Sequence, residues 1–177
     1  MMLWILSVIG ALGVVLIVTY NRLVRDRIRV ASAWSDIDVQ LKRRHDLLPN
    51  LVAAVSQYAS YEQAALESIT ELRARSEQAS RLGAGASEIA VVETALSAGM
   101  GKLFALVESY PDLKADANFL DLQRNISDVE QHIQYARRYY NAAVRALNTR
   151  IDSFPDLLVA KAFGYRHAEY FEIDDVS

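Results

Sequence analysis

Two charged side chains, Arg44 and Glu62, fall on a helical seam whose other positions are apolar. Trp34, Ile37, Leu41, Leu48, Leu51, Val55, Tyr58, Ala65, Ile69 and Leu72 share that frame, so each charge needs a partner or water once the seam packs. The two residues are natural partners for each other in an ion pair that sets helix register; the rival reading makes Glu62 a functional carboxylate. A denser cluster surrounds Arg44, where Asp36, Asp38, Gln40, Lys42, Arg43, Asp46 and Asn50 interleave with apolar residues between Trp34 and Val52. This string is either a solvated face with intrahelical pairs such as Asp38 with Lys42, or a recognition face for a protein or a lipid headgroup.

Known catalytic and metal-binding patterns are missing. A di-metal centre in a helical bundle calls for Glu-x-x-His pairs, and neither His45, His132 nor His167 has an acidic residue three positions before it. There is no His-Glu-x-x-His, no Gly-x-Ser-x-Gly and no Ser-x-x-Lys. Gly83 and Gly85 lack the preceding strand and third glycine of a phosphate-binding loop. The chain has no cysteine, which excludes disulfides, zinc–thiolate sites, iron–sulfur clusters and cysteine nucleophiles. A net charge of −3 argues against nucleic acid, which needs a basic surface. The expectation is a non-enzyme with no cofactor, no metal and no nucleic-acid partner.

The first element that positions these residues is a membrane span. Met1 to Asn21 carries no charged side chain, and Leu3 to Thr19 is almost wholly Leu, Ile, Val, Ala, Gly and Trp. At about 1.5 Å per residue, roughly 20 residues cross the approximately 30 Å hydrocarbon layer. A cleavable signal peptide would open on basic residues and close on a small-x-small site; nothing basic precedes Leu3. Arg22, Arg25, Arg27 and Arg29, with only Asp26 against them, hold the following domain in the cytoplasm and leave the N-terminus outside. The same arginines are placed to meet anionic headgroups, and Trp4 and Tyr20 mark the two interfaces. No proline or glycine separates Thr19 from Trp34, so the span is predicted to run as one helix into the domain.

The remainder reads as all-α. Phe119, Leu122, Ile126, Val129, Ile133, Ala136, Tyr140, Ala143 and Leu147 step by 3 and 4, the pattern of a helix packed lengthwise on another. Ile89, Val92, Leu96, Gly99, Leu103 and Leu106 repeat it after Ser87, a suitable N-cap. Gly99 on that seam marks either a close helix approach or a weak segment. Pro49 disfavours a helical Leu48 and removes a hydrogen bond, so a break near Asp46 is preferred to a kink. Helices are thus predicted near 22–46, 49–81, 88–108 and 112–153, an up-and-down four-helix bundle. Pro111 and Asp112 suit the start of the last helix. Three segments follow: an anchor at 1–21, a cytoplasmic bundle at 22–154, and an aromatic-rich C-terminal segment at 155–177 that folds back on the bundle, with Glu172, Asp174 and Asp175 as an acidic tail.

The run Trp34-Ser-Asp-Ile-Asp-Val-Gln-Leu-Lys-Arg-Arg-His-Asp-Leu-Leu-Pro-Asn-Leu51-Val52, preceded by Tyr20-Asn-Arg-Leu-Val24, resembles the signature of the LemA family. Tyr110-Pro-Asp-Leu-Lys-Ala115, Asn118-Phe119, Leu122-Gln123, Ala136-Arg137, Tyr140-Asn141, Asn148, Phe154-Pro155 and Tyr170-Phe171 are similar to the family's C-terminal half in order and spacing. The resemblance covers nearly the whole chain. It implies one N-terminal span, a short outside terminus and a cytoplasmic four-helix bundle, and it supplies no reaction mechanism. Ser56 to Glu62 departs from the family pattern, which often has a Lys-Gly and a His there. The function expected is a membrane-anchored scaffold or adaptor at the cytoplasmic face, working through cytoplasmic or membrane proteins or as a homo-oligomer. The alternatives are an enzyme with an unrecognised carboxylate or tyrosine site acting on a membrane component, and a sensor of membrane state.

Overall fold

The apolar N-terminal run and the first packing seam lie on one helix, as the unpunctuated stretch after Thr19 predicts. In the computed structural model, which describes residues 1–59 and 61–171, α1 runs from Met2 to Tyr58, roughly 85 Å at the α-helical rise. Then come α2 (Gln63–Arg81), α3 (Ala86–Val107), α4 (Pro111–Ala115), α5 (Ala117–Asp152) and α6 (Asp156–Ala162), with no strand among the described residues. The apolar residues from Leu3 to Val18 are exposed, and burial begins at Thr19 and Leu23. α3 is also long and apolar enough to cross a membrane, but Ile89, Leu96, Met100 and Leu103 are consumed by the core.

The bundle is up-and-down. Asp26 faces Arg150 and Arg44 faces Glu130, so α5 returns antiparallel along α1. His45 faces Arg73 across α1 and α2, and Ser97 faces Glu130 across α3 and α5. The core has three levels. Leu48, Leu51 and Val55 pack with Ile69, Leu96, Leu103, Phe119 and Ile126 at the far end. Ala33, Ile37 and Leu41 meet Ile89, Val129, Ile133, Tyr140 and Phe171 in the middle. Leu23, Leu147, Ile151 and Ala160 close the end beside the apolar run.

The predicted break near Asp46 does not occur. Pro49 sits inside α1 on its exposed side. It cannot donate to the carbonyl of His45 four residues earlier, and Arg73 Nε on α2 meets that carbonyl at 2.8 Å instead. The predicted helix at 49–81 is divided further on: Ala59 leaves helical geometry at φ −124°, and α2 starts at Gln63. α1 and α2 both turn their apolar residues into one core, so the seam keeps its frame across the reversal and conceals it.

Other helix starts also shift. Gly85, not Ser87, occupies the N-cap of α3, and Ser87 Oγ donates to Glu169 at 3.1 Å. Pro111 opens the short α4; the chain is then extended at Asp116, whose carboxylate accepts from the Phe119 amide at 2.9 Å and starts α5. Ile69 and Leu72 lie over Gly99, where an added Cβ would be 3.7 and 3.9 Å away, so α2 approaches without excluding a methyl group.

The described part of the C-terminal segment, up to Phe171, returns along the bundle. Asn148 exchanges two hydrogen bonds with the backbone of Ala168, and Asn141 does the same with Phe171. Two turns apart on α5, these amides hold the returning chain by its main chain; Arg137 Nε adds a bond to Phe171 O at 2.9 Å. Glu172, Asp174 and Asp175 lie outside the described residues.

Candidate functional site

Arg44 does lie on the packed face of α1, but it does not meet Glu62. Its guanidinium reaches across the bundle to Glu93 on α3 and Glu130 on α5, the latter at 2.6 Å, and donates to Ser97 Oγ at 2.7 Å. The pair is deeply enclosed, with side chains 1% exposed for Arg44 and 3% for Glu93. Glu93 also accepts from Ser76 Oγ on α2 and lies 2.9 Å from His45 Nε2. One polar layer therefore ties α1, α2, α3 and α5 together between the middle and far levels of the core. Glu62 lies elsewhere, at the α1–α2 reversal, and accepts from Tyr110 Oη at 3.2 Å. The Arg44–Glu62 pairing fails because the chain reverses between α1 and α2 and directs the two residues into different levels.

Burial pushes the Arg44 guanidinium below its ordinary value, while the Glu130 charge and hydrogen bond pull it back up. It remains cationic, because a guanidinium does not lose its proton in proteins. Burial, then the neighbouring Arg44 charge, pushes His45 down to about 4. The Glu77 and Asp46 carboxylates favour the charged ring but do not outweigh burial and the Arg44 and Arg73 charges. At neutral pH the ring is thus uncharged and donates from Nε2. A histidine that is neutral when folded and near 6.5 when unfolded binds a proton on unfolding anywhere between those values. Its contribution is complete above pH 6.5 and disappears as pH falls through about 4. Urea titrations from pH 7.5 to 4 should show stability dropping more steeply with acid for the wild type than for His45→Gln; parallel curves would show that the ring is already charged in the fold.

Sequence reading missed Glu93, Glu130, Ser76 and Ser97. A signal was present. Ala86, Ala90, Glu93, Ser97 and Met100 form a second stripe at helical spacing beside the one headed by Ile89, and Ser76 continues the frame of Ile69 and Leu72.

The remaining residues of the string split by face. Asp36, Asp38, Lys42, Arg43, Asp46 and Asn50 are exposed, and Gln40 is half-buried. The Asp38–Lys42 pair is not formed, and none of these six makes a side-chain hydrogen bond or ion pair among the described residues. Trp4, Tyr20, Arg22, Arg25, Arg27 and Arg29 are exposed. Asp26, which interrupts the arginines in sequence, is buried. Arg150 Nε holds it at 2.5 Å, a contact that keeps the Arg150 charge firmly in place.

Residues 33–177 match the LemA family. Protein LemA of Metamycoplasma hominis is 26% identical, over 98% of this chain and 78% of that protein. Magnetosome protein MamQ 2 of Paramagnetospirillum magneticum is 23% identical, over 97% of this chain and 71% of that protein. Magnetosome protein MamQ of Magnetospirillum gryphiswaldense is 24% identical, over 88% and 65%. The family match begins at Ala33, includes the exposed string, the buried charge layer and the asparagines that hold the C-terminal segment, and covers most of the sequence: the chain belongs to the LemA family.

Proposed function

We propose that this protein is a non-enzymatic scaffold or adaptor, anchored by residues 1–21 with its bundle at the cytoplasmic face. The carrying observation is that one helix supplies both the exposed apolar run, Leu3 to Val18, and a full edge of the bundle core from Leu23 to Val55. A bundle built on the anchor itself stands at a fixed distance from the bilayer. Tethering restricts its partners to a surface and raises their effective concentration, so modest contacts suffice. Arg22, Arg25, Arg27 and Arg29 favour the cytoplasmic side.

The six exposed polar residues between Asp36 and Asn50 are the surface assigned to partner contact, a protein or a second copy of the chain. Their charges are not spent on one another. The enzymatic reading is weaker. The cleft of about 520 Å3 between α1 and residues 163–168 is lined by Arg27, Trp34, Tyr140, Tyr165 and Arg166 among others, and among the described residues no carboxylate lines it. Cross-linking of the full-length chain in cells, from single-cysteine variants at Asp36 and Asn50, tests the scaffold. Discrete cross-linked species that disappear in Lys42→Glu/Arg43→Glu, with unchanged thermal unfolding, are expected. Recovery of the monomer alone overturns the reading.

A further inference from the structure

At the end of the bundle beside the apolar run, the outer face of the C-terminal corner is also apolar. α6 buries Asp156 and Ala160 against the bundle, while Phe154, Leu158 and Phe163 are 80%, 61% and 55% exposed. Their height along α1 is fixed by three contacts. Arg150 lies opposite Asp26, so α5 ends, just before Phe154, near the part of α1 where the exposed apolar run gives way to the bundle. Leu23 packs with Ile151 and Ala160. The Phe163 ring lies 4.8 Å from the ring of Tyr20. These apolar residues thus share the level at which the exposed apolar run of α1 ends.

Among the described residues, the exposed charges around them are predominantly basic, with Asp152 an acidic exception. Asp26 and Asp156 are turned inward onto Arg150, and Asp152 faces His167 at 3.1 Å. Arg22, Arg25, Arg27, Lys161 and Arg166 are exposed. Amphipathic surfaces with aromatic and leucine side chains and a basic rim bind the headgroup–acyl boundary of anionic bilayers.

We propose that Phe154, Leu158 and Phe163 form a second membrane contact, an apolar foot inserted into the anionic bilayer interface beside the span. This rests on the reading of α1 as the anchor. The foot limits the tilt of the bundle, since a single span leaves the bundle free to lean in any direction and a second interfacial contact off its axis favours leaning toward that contact. The surface is continuous with the span, carries the complementary charge, and lies where a bilayer must be if α1 crosses one.

The chain has no cysteine, so single labels are unambiguous. Nitroxides at Leu158→Cys, Val8→Cys and Lys102→Cys, the last at the far end of the bundle, are compared in the full chain reconstituted in phosphatidylcholine–phosphatidylglycerol vesicles. The ratio of oxygen to water-soluble nickel chelate accessibility is expected to be several-fold higher at residue 158 than at 102, and highest at residue 8. A water-like ratio at 158 with a hydrocarbon-like ratio at 8 overturns the foot and leaves the anchor standing. A label at 158 shielded from both reagents also overturns it, in favour of a protein contact. A water-like ratio at residue 8 overturns the anchor itself.

Discussion

Arg44→Met is expected to lower the unfolding free energy by about 3–5 kcal/mol in chemical denaturation at pH 7, the cost of breaking a buried ion pair from one side. The substituted side chain fills much of the same volume, so packing loss is small. What remains is Glu93, almost wholly enclosed, with only neutral His45 and Ser76 to face its charge. Glu130 is less affected because its side chain is 26% exposed and can turn to water. The double variant Arg44→Met/Glu93→Leu removes both buried charges and is expected to recover most of the loss, since well-packed apolar replacements of buried pairs are often neutral or better. A double variant as unstable as the single would assign the effect to packing or to the hydroxyls of Ser76 and Ser97. The pair is also the device most suited to fixing register. α1, α2, α3 and α5 present similar apolar stripes, and only one longitudinal alignment brings Arg44, Ser76, Glu93 and Glu130 together.

Arg73→Ala is expected to cost about 1–2 kcal/mol, the penalty for leaving a part-buried helix carbonyl without its donor. Pro49 offers no hydrogen to the His45 carbonyl, and Arg73 Nε takes its place at 2.8 Å. Restoring the missing amide with Pro49→Ala should stabilise the wild-type background by about 1–3 kcal/mol, less than the full proline penalty because Arg73 already offsets part of it. The distinctive result is the coupling. In the Pro49→Ala background, Arg73→Ala should lose at least about 1 kcal/mol of its effect, the range seen for residues that share one partner. Additive effects would mean that Arg73 acts through Glu77, which its guanidinium meets at 2.8 Å, and not through the proline gap.

The Pro49 pairing also shows where reading the sequence stops. Residues 34–72 keep one apolar frame through both the proline and the true reversal between α1 and α2. Local rules placed the interruption at Pro49, where backbone chemistry objects. The tertiary structure places it after Tyr58, because a side chain from another helix repairs the proline and because α2 must return along the core that α1 helps to form. A missing donor is visible in sequence; the distant donor that replaces it is not.

The residues on either side of that boundary differ in kind. Composition alone determined the apolar run at the N-terminus and its unbroken passage into the domain, since both depend on local hydrophobicity and the lack of helix-breaking residues. Periodicity determined the seam of α5, where Phe119, Ile126, Val129, Ile133, Tyr140, Ala143 and Leu147 are all buried. It also identified Arg44 as a charge on a packed face. Only the tertiary structure decided that its partners are Glu93 and Glu130 in place of Glu62, that Asp26 turns inward to Arg150, and that the Phe163 ring lies beside Tyr20. Heptad spacing specifies which face of a helix is buried, a property of one element. It leaves open which helix lies opposite and at what height, and those follow from chain reversals and long-range charge pairing that no local window contains.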